Sequence, residues 1–120
     1  MYNLMSRQDF EAAIGKRLPL EVVKGFMEAD VFVGDGENFA SLCLWKDRKA
    51  IWLSGLLGKG LPMLWAIKRW AKGNGFDWIG FSMREDNPFR DAIERYSRPT
   101  MKRTSPDGSF HEYAVSLKTR

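Results

Sequence analysis

The sequence predicts one α+β domain, in which a single twisted, mixed but mostly antiparallel sheet carries helices on both faces. An apolar run at residues 50–54 passes through a glycine-rich turn into an amphipathic pattern at 61–72, which is typical of a strand followed by a helix. Three strand-like segments between residues 31 and 54 are joined by short polar turns, which indicates an antiparallel meander. The length suits one core, so we assign residues 1–120 to a single domain.

Composition limits the class of protein. The chain is 44% hydrophobic and is therefore expected to fold on its own. Its net charge of +4 is compatible with an anionic partner without requiring one. The single cysteine, Cys43, excludes an internal disulfide and favours a reducing, cytoplasmic location. We expect no membrane association, because no apolar run approaches the roughly 20 residues of a membrane span and no signal-peptide pattern is present.

The first half of the chain is predicted to hold one short strand, two helices and the meander. Residues 2–5 are typical of a strand, and Ser6 is a good N-cap with Asp9 three residues later. Apolar spacing predicts a short helix after Ser6 and a second helix over 20–29. The meander strands are then expected at 31–33, Phe39–Trp45 and 50–54.

The second half is predicted to hold two more helices and three more strands. Leu64, Ile67 and Ala71 form one apolar stripe on the helix over 61–72. An apolar segment at 76–83 indicates a central strand. Asp86 or Asn87 is expected to cap the next helix, whose buried residues are predicted to be Phe89, Ala92, Ile93 and Tyr96. Residues 101–104 and 110–117 then form a closing hairpin around Ser-Pro-Asp-Gly.

The glycine-rich joint before the long helix is the strongest candidate binding site. A strand–glycine–helix joint presents unpaired N–H groups at the positive end of the helix dipole, which suits a phosphate group. Lys59, between Gly58 and Gly60, adds a mobile cation there. The residues fit neither a P-loop nor a dinucleotide-binding glycine pattern, and the joint alone is also compatible with a simple helix start.

The order of elements resembles the GCN5-related N-acetyltransferase (GNAT) fold over nearly the whole chain. That family's phosphate-binding loop follows the pattern Arg/Gln-x-x-Gly-x-Gly/Ala, and the corresponding segment here is Leu57-Gly58-Lys59-Gly60-Leu61-Pro62. Gly60 matches the glycine at the fourth place. Leu57 and Pro62 depart from the pattern, and Pro62 removes one amide from the loop.

The resemblance implies an acyl-CoA-dependent N-acyltransferase that transfers an acetyl group from acetyl-CoA to an amine. It implies a three-layer α/β arrangement and a cofactor site formed by Leu53, Ser54, Gly55, Gly58, Lys59, Gly60 and Leu61. The family's catalytic tyrosine has its nearest counterpart in Tyr96, a candidate acid for the departing thiolate. The register places Ile93 in the tyrosine's position, however, so a buried structural role for Tyr96 stays open.

No residue stands out as the catalytic base. The strand at 50–57 carries no carboxylate or histidine, and Glu37, Glu85 and Asp86 are loop carboxylates typical of caps or solvent-facing positions. His111 shares a strand face with Tyr113 and is expected to be packed and hydrogen-bonded. One cysteine and one histidine leave too few ligands of these kinds for a zinc site, so no metal is expected.

Two functional classes therefore remain. The first is the N-acyltransferase, with a small-molecule or protein amine as acceptor. The alternative is a catalytically silent domain of the same fold that binds a protein, in line with a weaker resemblance to small acetyltransferase-like and internal virion proteins of bacteriophages. That resemblance implies the host cytoplasm or the virion as its location. Nucleic-acid binding is not expected, because acidic residues are interleaved with the basic ones.

Overall fold

The computed structural model describes residues 2–118. Seven strands and four α-helices follow one another within that range, and a 3₁₀ turn (Lys46–Arg48) connects β3 to β4. The elements are β1 (Asn3–Met5), α1 (Arg7–Gly15), α2 (Leu20–Met27), β2 (Val31–Gly34), β3 (Phe39–Trp45), β4 (Ala50–Leu57), α3 (Gly60–Gly73), β5 (Trp78–Arg84), α4 (Arg90–Ser97), β6 (Met101–Thr104) and β7 (Phe110–Ser116).

All seven strands form one sheet in the order β1-β2-β3-β4-β5-β7-β6. Every neighbouring pair is antiparallel except β4 and β5, which run parallel and are connected through α3. The predicted mixed, mostly antiparallel sheet is confirmed, and the strand expected at 76–83 is central in it, between β4 and β7.

The first two helices cover one face of the sheet over β2, β3 and β4. Ser6 begins α1, and its Oγ accepts a hydrogen bond from the Asp9 amide at 3.1 Å, as the capping pattern predicts. Phe10 is fully buried, and its ring centroid lies 4.8 Å from that of Phe32 on β2. These aromatic contacts fix α1 and α2 against the sheet.

The other two helices, α3 and α4, lie on the opposite face. Leu64, Ile67 and Ala71 of α3 are all buried, which confirms the stripe expected from the sequence. They pack in one cluster with apolar side chains of the central strands, including Ile79 and Phe81. The molecule therefore has three layers, with helices on both faces of one sheet.

Several sequence-based boundaries were wrong because local hydrogen bonds end an element early or start it late. The last helix begins at Arg90, since the Asn87 side chain accepts from the Phe89 amide at 2.8 Å and forms a turn there instead of a helix cap. Its predicted buried stripe was wrong for Phe89 and Tyr96, which are 69% and 54% exposed, whereas Ala92 and Ile93 are half-buried and Ile93 packs against the core. The second helix ends at Met27.

Within residues 2–118, none of the helices is both long and apolar enough to cross a membrane.

Candidate functional site

A cleft opens where the parallel strands β4 and β5 separate. They are hydrogen-bonded only where Ala50–Trp52 lies beside Trp78–Gly80, although β4 continues to Leu57 and β5 to Arg84. From Leu53 onward, β4 therefore has a hydrogen-bonded neighbour on its β3 side alone. The cleft between the diverging strands has a volume of about 210 Å³. Its lining residues are Leu53, Ser54, Gly55, Leu56, Gly60, Leu64, Phe81, Ser82, Met83, Asn87 and Ile93.

A β-bulge in β4 lies at the start of this divergence. Ser41 of β3 is opposite Gly55 and Leu42 is opposite Leu53, which leaves Ser54 as the extra residue. A bulge bends the strand that carries it and increases its local twist, which accounts for the turn of β4 away from β5. Gly55 allows a helix to pack closely there, because an added Cβ would lie 2.6 Å from the ring of Phe26 on α2.

The joint between β4 and α3 is held by a side chain from another loop. Gly58 has φ +112°, a conformation that glycine adopts readily and L-residues rarely do. Buried Asn38, which precedes β3, accepts a hydrogen bond from the Lys59 amide through its Oδ1 at 2.7 Å. A Cβ on Gly58 would lie only 2.1 Å from that same oxygen. The glycine therefore makes room for the residue that fixes the joint.

Asn38 is itself anchored by Asp35. The Asp35 carboxylate accepts from the Asn38 amide at 2.7 Å and from the Asn38 side-chain Nδ2 at 2.9 Å. It also accepts from the Glu37 amide at 2.9 Å. The Asn38 backbone and side-chain hydrogen bonds, followed by the Glu37 bond, lower the pKa of Asp35 to about 2. The loop before β3 thus positions the first turn of α3.

The first turn of α3 leaves donors free at the mouth of the cleft. The Gly60 and Leu61 amides have no protein acceptor among residues 2–118, and Pro62 has no amide hydrogen to donate. An added Cβ at Gly60 would meet only Leu56 and Ile93, at 3.8 and 3.9 Å, and both of these residues line the cleft. The exposed Lys59 stands beside these donors. The arrangement favours an anion whose remainder extends into the cleft.

The structure brings together most of the residues predicted to bind the cofactor. Leu53, Ser54, Gly55 and Gly60 line the cleft. Gly58, Lys59 and Leu61 lie at the adjoining joint, where they shape the loop or its charge.

Tyr96 is not brought to the cleft. It is 54% exposed and lines a separate hollow with Trp65, Lys68 and Arg69, so the predicted buried structural role is wrong. Ile93, one turn earlier on α4, lines the cleft instead. The role of Tyr96 as an acid stays a prediction, and its position does not favour it.

Beside the cleft, a polar network joins α4 to the closing hairpin. The Tyr113 hydroxyl donates to Glu94, and Lys102 Nζ lies 3.1 Å from the same carboxylate. Burial, and then the hydrogen bond to Glu94, raise the pKa of Tyr113 to about 12. The Tyr113 bond is also the largest cause that lowers the pKa of Glu94. Because Tyr113 lies directly opposite Phe81, a cleft residue on β5, this network supports one wall of the cleft.

His111 is packed and hydrogen-bonded, as the sequence predicts. It is 7% exposed, its Nε2 contacts the Glu85 carboxylate, and its Nδ1 lies 3.2 Å from the Thr104 hydroxyl. The His111 hydrogen bond lowers the pKa of Glu85, so this carboxyl is a weak proton acceptor.

Sequence reasoning missed Asn38, Ser82 and Asn87 as residues of the site. The sequence predicts only a helix cap at Asn87, and Ser82 lies on an apolar strand that offers no polar pattern. The asparagine-and-aspartate spacing of Asp35 and Asn38 is typical of a local turn, and nothing in it indicates a contact with Lys59.

The cleft lining itself has polar but no titratable side chains. Ser54, Ser82 and Asn87 are the only side chains with hydrogen-bonding oxygen or nitrogen atoms among the lining residues that the structure describes. No group of three or more metal-ligating side chains occurs within residues 2–118. The site is therefore suited to bind an anion at one end and an elongated, partly apolar group along the strands.

Comparison with known proteins relates the whole chain to one fold. No protein-family profile matches the sequence, and no curated protein matches it significantly. Among solved structures, the ribosomal-protein-S18-alanine N-acetyltransferase from Escherichia coli aligns with a TM-score of 0.72 at 12% identity, covering 100% of this chain and 95% of that chain. An N-acetyltransferase from Staphylococcus aureus aligns at 0.64 with 13% identity and 98% of both chains covered.

An aminoglycoside 6'-N-acetyltransferase in complex with coenzyme A aligns with a TM-score of 0.62 at 10% identity, covering 100% of this chain and 98% of that chain. Another solved structure with the same architecture is described as an acetyltransferase of the GNAT family. The seven-stranded sheet, the four helices and these full-length alignments lead to one conclusion: the chain has the GNAT N-acetyltransferase fold.

Proposed function

We propose that this protein is an acyl-CoA-dependent N-acyltransferase that transfers an acetyl group from acetyl-CoA to an amine. The observation that carries the proposal is the continuity of the cleft with the free first-turn amides of α3. A pyrophosphate on those amides leaves the pantetheine arm free to extend between β4 and β5. The fold, shared with acyl-CoA-dependent enzymes, supports the same assignment.

The residues of the joint contribute to cofactor binding in different ways. The Gly60 and Leu61 amides donate to the pyrophosphate, and the α3 dipole adds to the attraction. Gly58 and Asn38 hold the joint in its conformation, while exposed Lys59 contributes a screened charge. Pro62 has no amide hydrogen to donate, so this loop binds the pyrophosphate more weakly than a loop with glycine at that position.

The unpaired edge of β4 supplies the groups for the reacting end. Bound acetyl-CoA supplies an activated thioester carbonyl. Backbone amides between Leu53 and Gly55 that lack a partner on the β5 side are placed to polarise that carbonyl. Ser82 offers a hydroxyl in the cleft lining, whereas the Ser54 hydroxyl is already engaged by Cys43 Sγ at 2.9 Å and by the Glu28 carbonyl.

Water accepts the proton that the incoming ammonium group loses. No carboxylate or histidine lines the cleft within the described part of the chain, and the lowered pKa of Glu85 makes that nearby loop residue a poor base. Solved relatives in fold act on an alanine of a ribosomal protein or on aminoglycosides. For this chain we assign the acceptor to the same broad class, an amine of a protein or a small molecule.

Isothermal calorimetry with acetyl-CoA tests the proposal. Gly60→Val is expected to abolish or strongly weaken binding, because its methyl groups occupy the mouth of the cleft near Leu56 and Ile93. Pro62→Gly is expected to tighten binding, because it restores an amide donor. The greater flexibility of glycine should offset part of this gain in affinity. Lys59→Ala is expected to weaken it modestly and only at low salt.

Gly73→Val is the matched control, since Gly73 ends the same helix and an added Cβ there meets nothing within 4 Å. Its affinity is expected to equal that of the wild type. No detectable heat at millimolar acetyl-CoA with wild type, Gly60→Val and Pro62→Gly would refute the proposal.

A second candidate function is a catalytically silent domain that binds a protein. The specific observation in its favour is the cleft lining without a carboxylate or histidine, together with the position of Tyr96 outside the cleft. This candidate is adopted if acetyl-CoA does not bind. If acetyl-CoA binds but is not consumed with any of a panel of amines, the domain is a cofactor-binding protein without transferase activity.

A further inference from the structure

A hollow lies at the end of the sheet where β4 and β5 begin, opposite to the end where they diverge around the cleft. Its volume is about 390 Å³, and none of its lining residues lines the cleft. We infer that this hollow is a second binding site, which takes a small aromatic carboxylate and is independent of the proposed function. Its lining includes Val31, Leu44, Lys46, Lys49, Trp70 and Phe76.

Four of the lining side chains are large and apolar. Val31 and Leu44 come from the neighbouring strands β2 and β3, and Trp70 and Phe76 come from the last turn of α3 and the loop after it. The two rings are stacked, with their centroids 6.2 Å apart and an angle of 21° between their planes. All four side chains are half-buried, so part of their apolar surface still contacts water. A flat apolar ligand covers that surface.

Two cations border the same hollow. Lys46 and Lys49 are exposed, and neither forms an ion pair with any residue between 2 and 118. In the described part of the chain, no acidic side chain is among the lining residues. Two ammonium groups beside an apolar surface match a ligand that combines a ring with a carboxylate, to which lysine presents a point charge.

The C-terminal end of α3, whose dipole disfavours an anion, is capped at this hollow. The Trp70 carbonyl accepts from the Asn74 side-chain Nδ2 at 2.8 Å, and the Ala71 carbonyl accepts from the Phe76 amide at 3.0 Å. Lys72 adds a positive charge in the last turn. These contacts reduce the negative potential of the helix end, so the two lysines set the sign of the charge that the hollow accepts.

The backbone of Lys49 is the most specific observation. It has φ +51°, a left-handed conformation that glycine adopts more readily than lysine. The Lys49 carbonyl accepts from the Asp77 amide at 2.7 Å, and its own amide donates to the Lys46 carbonyl at 3.2 Å. Glycine would make the same backbone hydrogen bonds without strain. A lysine at this position therefore indicates a use for its ammonium group.

Three ligands separate the contributions of charge and ring in isothermal calorimetry. The probe 2-naphthoate has a flat ring system and a carboxylate, 2-naphthamide has the same rings without the charge, and acetate has the charge without the rings. We expect 2-naphthoate to bind at one site, about fivefold or more tightly than 2-naphthamide, and acetate to give no detectable heat. Equal affinity for 2-naphthoate and 2-naphthamide would overturn the inference, and so would the absence of 2-naphthoate binding at millimolar concentration.

Variants of the lysines locate the site. Lys46→Ala and Lys49→Gly are each expected to weaken 2-naphthoate binding about threefold or more. Because glycine suits the left-handed backbone, Lys49→Gly should have a urea midpoint at or above that of the wild type, so its loss of affinity is not a loss of fold.

Arg48→Ala is the matched control, because Arg48 is an exposed cation of the same turn that does not line the hollow. It is expected to bind 2-naphthoate like the wild type. If both lysine variants match the wild type, or if Arg48→Ala weakens binding as much as they do, the inference is wrong.

Competition with acetyl-CoA distinguishes this site from the cleft. The affinity for 2-naphthoate is expected to be the same with and without an excess of acetyl-CoA, since the two sites share no lining residue. Displacement of 2-naphthoate by acetyl-CoA would place the probe in the cleft and overturn this inference while the proposed function stands. If acetyl-CoA does not bind but 2-naphthoate binds with the expected lysine dependence, the proposed function is wrong and this inference is upheld.

Discussion

At the scale of single residues, the candidate site depends on one hydrogen-bonded chain from Asp35 through Asn38 to the Lys59 amide. This chain occupies the Lys59 donor, which is therefore not available to a ligand. The amides left for the proposed anion are those of Gly60 and Leu61, in the first turn of α3. The two glycines on either side of Lys59 consequently have different roles. Gly58 adopts the backbone conformation of the joint, and Gly60 leaves space for a ligand at the mouth of the cleft.

Alanine at these two glycines is expected to give opposite results. Gly58→Ala combines a positive φ of +112° with a Cβ 2.1 Å from Asn38 Oδ1, and it should destabilise the protein by about 1–3 kcal/mol. Gly60→Ala places its Cβ in ordinary contact and improves helix propensity, so stability should rise by up to about 1 kcal/mol. Urea unfolding measures both. Equal midpoints for the two variants would contradict the assigned roles.

At the scale of elements, α3 has two faces with different tasks. Met63, Leu64, Ile67 and Ala71 are buried against the sheet, whereas Trp65 and Arg69 face solvent. Its N-terminus forms the mouth of the cleft, so a shift of the helix displaces the free Gly60 and Leu61 amides. Packing of the buried face therefore holds the site in place as well as stabilising the fold.

Ile67→Ala tests this division of the helix. Ile67 is 3% exposed, and its truncation is expected to lower the free energy of unfolding by about 2–5 kcal/mol. Arg69→Ala, on the exposed face of the same helix, should stay within about 0.5 kcal/mol of the wild type. Chemical denaturation with urea compares the two, and an unchanged midpoint for Ile67→Ala would show that another face of the helix is buried.

At the scale of the whole molecule, the divergence of β4 from β5 requires that the far side of the sheet be held independently. The β5–β7 pairing runs over seven residue pairs from Trp78 to Arg84, against three pairs between β4 and β5. The Tyr113–Glu94 hydrogen bond and the Lys102–Glu94 ion pair then connect this half of the sheet to α4. The cleft therefore lies between two halves of the sheet, and each half is held together by its own contacts.

Tyr113→Phe tests that connection. The stability difference between wild type and variant is expected to depend on pH. Loss of the bond to a charged partner should destabilise the protein by about 1–3 kcal/mol at neutral pH. The pKa of Tyr113 is raised to about 12, so its contribution is complete below the ordinary value near 10 and is lost as the pH rises through 12. Urea midpoints of wild type and variant should therefore converge between about pH 10 and 12. A gap that persists unchanged above pH 12 would contradict this.

The sequence by itself determined the order of elements and the identity of the main helix. Its periodicities report local geometry, so the stripe of Leu64, Ile67 and Ala71 and the cap at Ser6 were readable without coordinates. The glycine-rich joint was readable for the same reason, because it lies within six consecutive residues. From these features the fold class and the anion-binding end of the candidate site followed.

The tertiary structure alone decided the cleft and the parts of the site that come from distant segments. The separation of β4 from β5 depends on a bulge at Ser54, which is a matter of register between two strands and leaves no local pattern. Asn38 meets Lys59 across 21 residues of chain, and Tyr96 shares a hollow with Trp65 only because α3 and α4 pack side by side. A helical stripe placed Tyr96 in the core, but Tyr96 is 54% exposed, whereas the next residue, Ser97, is buried. Burial of that kind is set by the neighbouring elements, which local sequence does not encode.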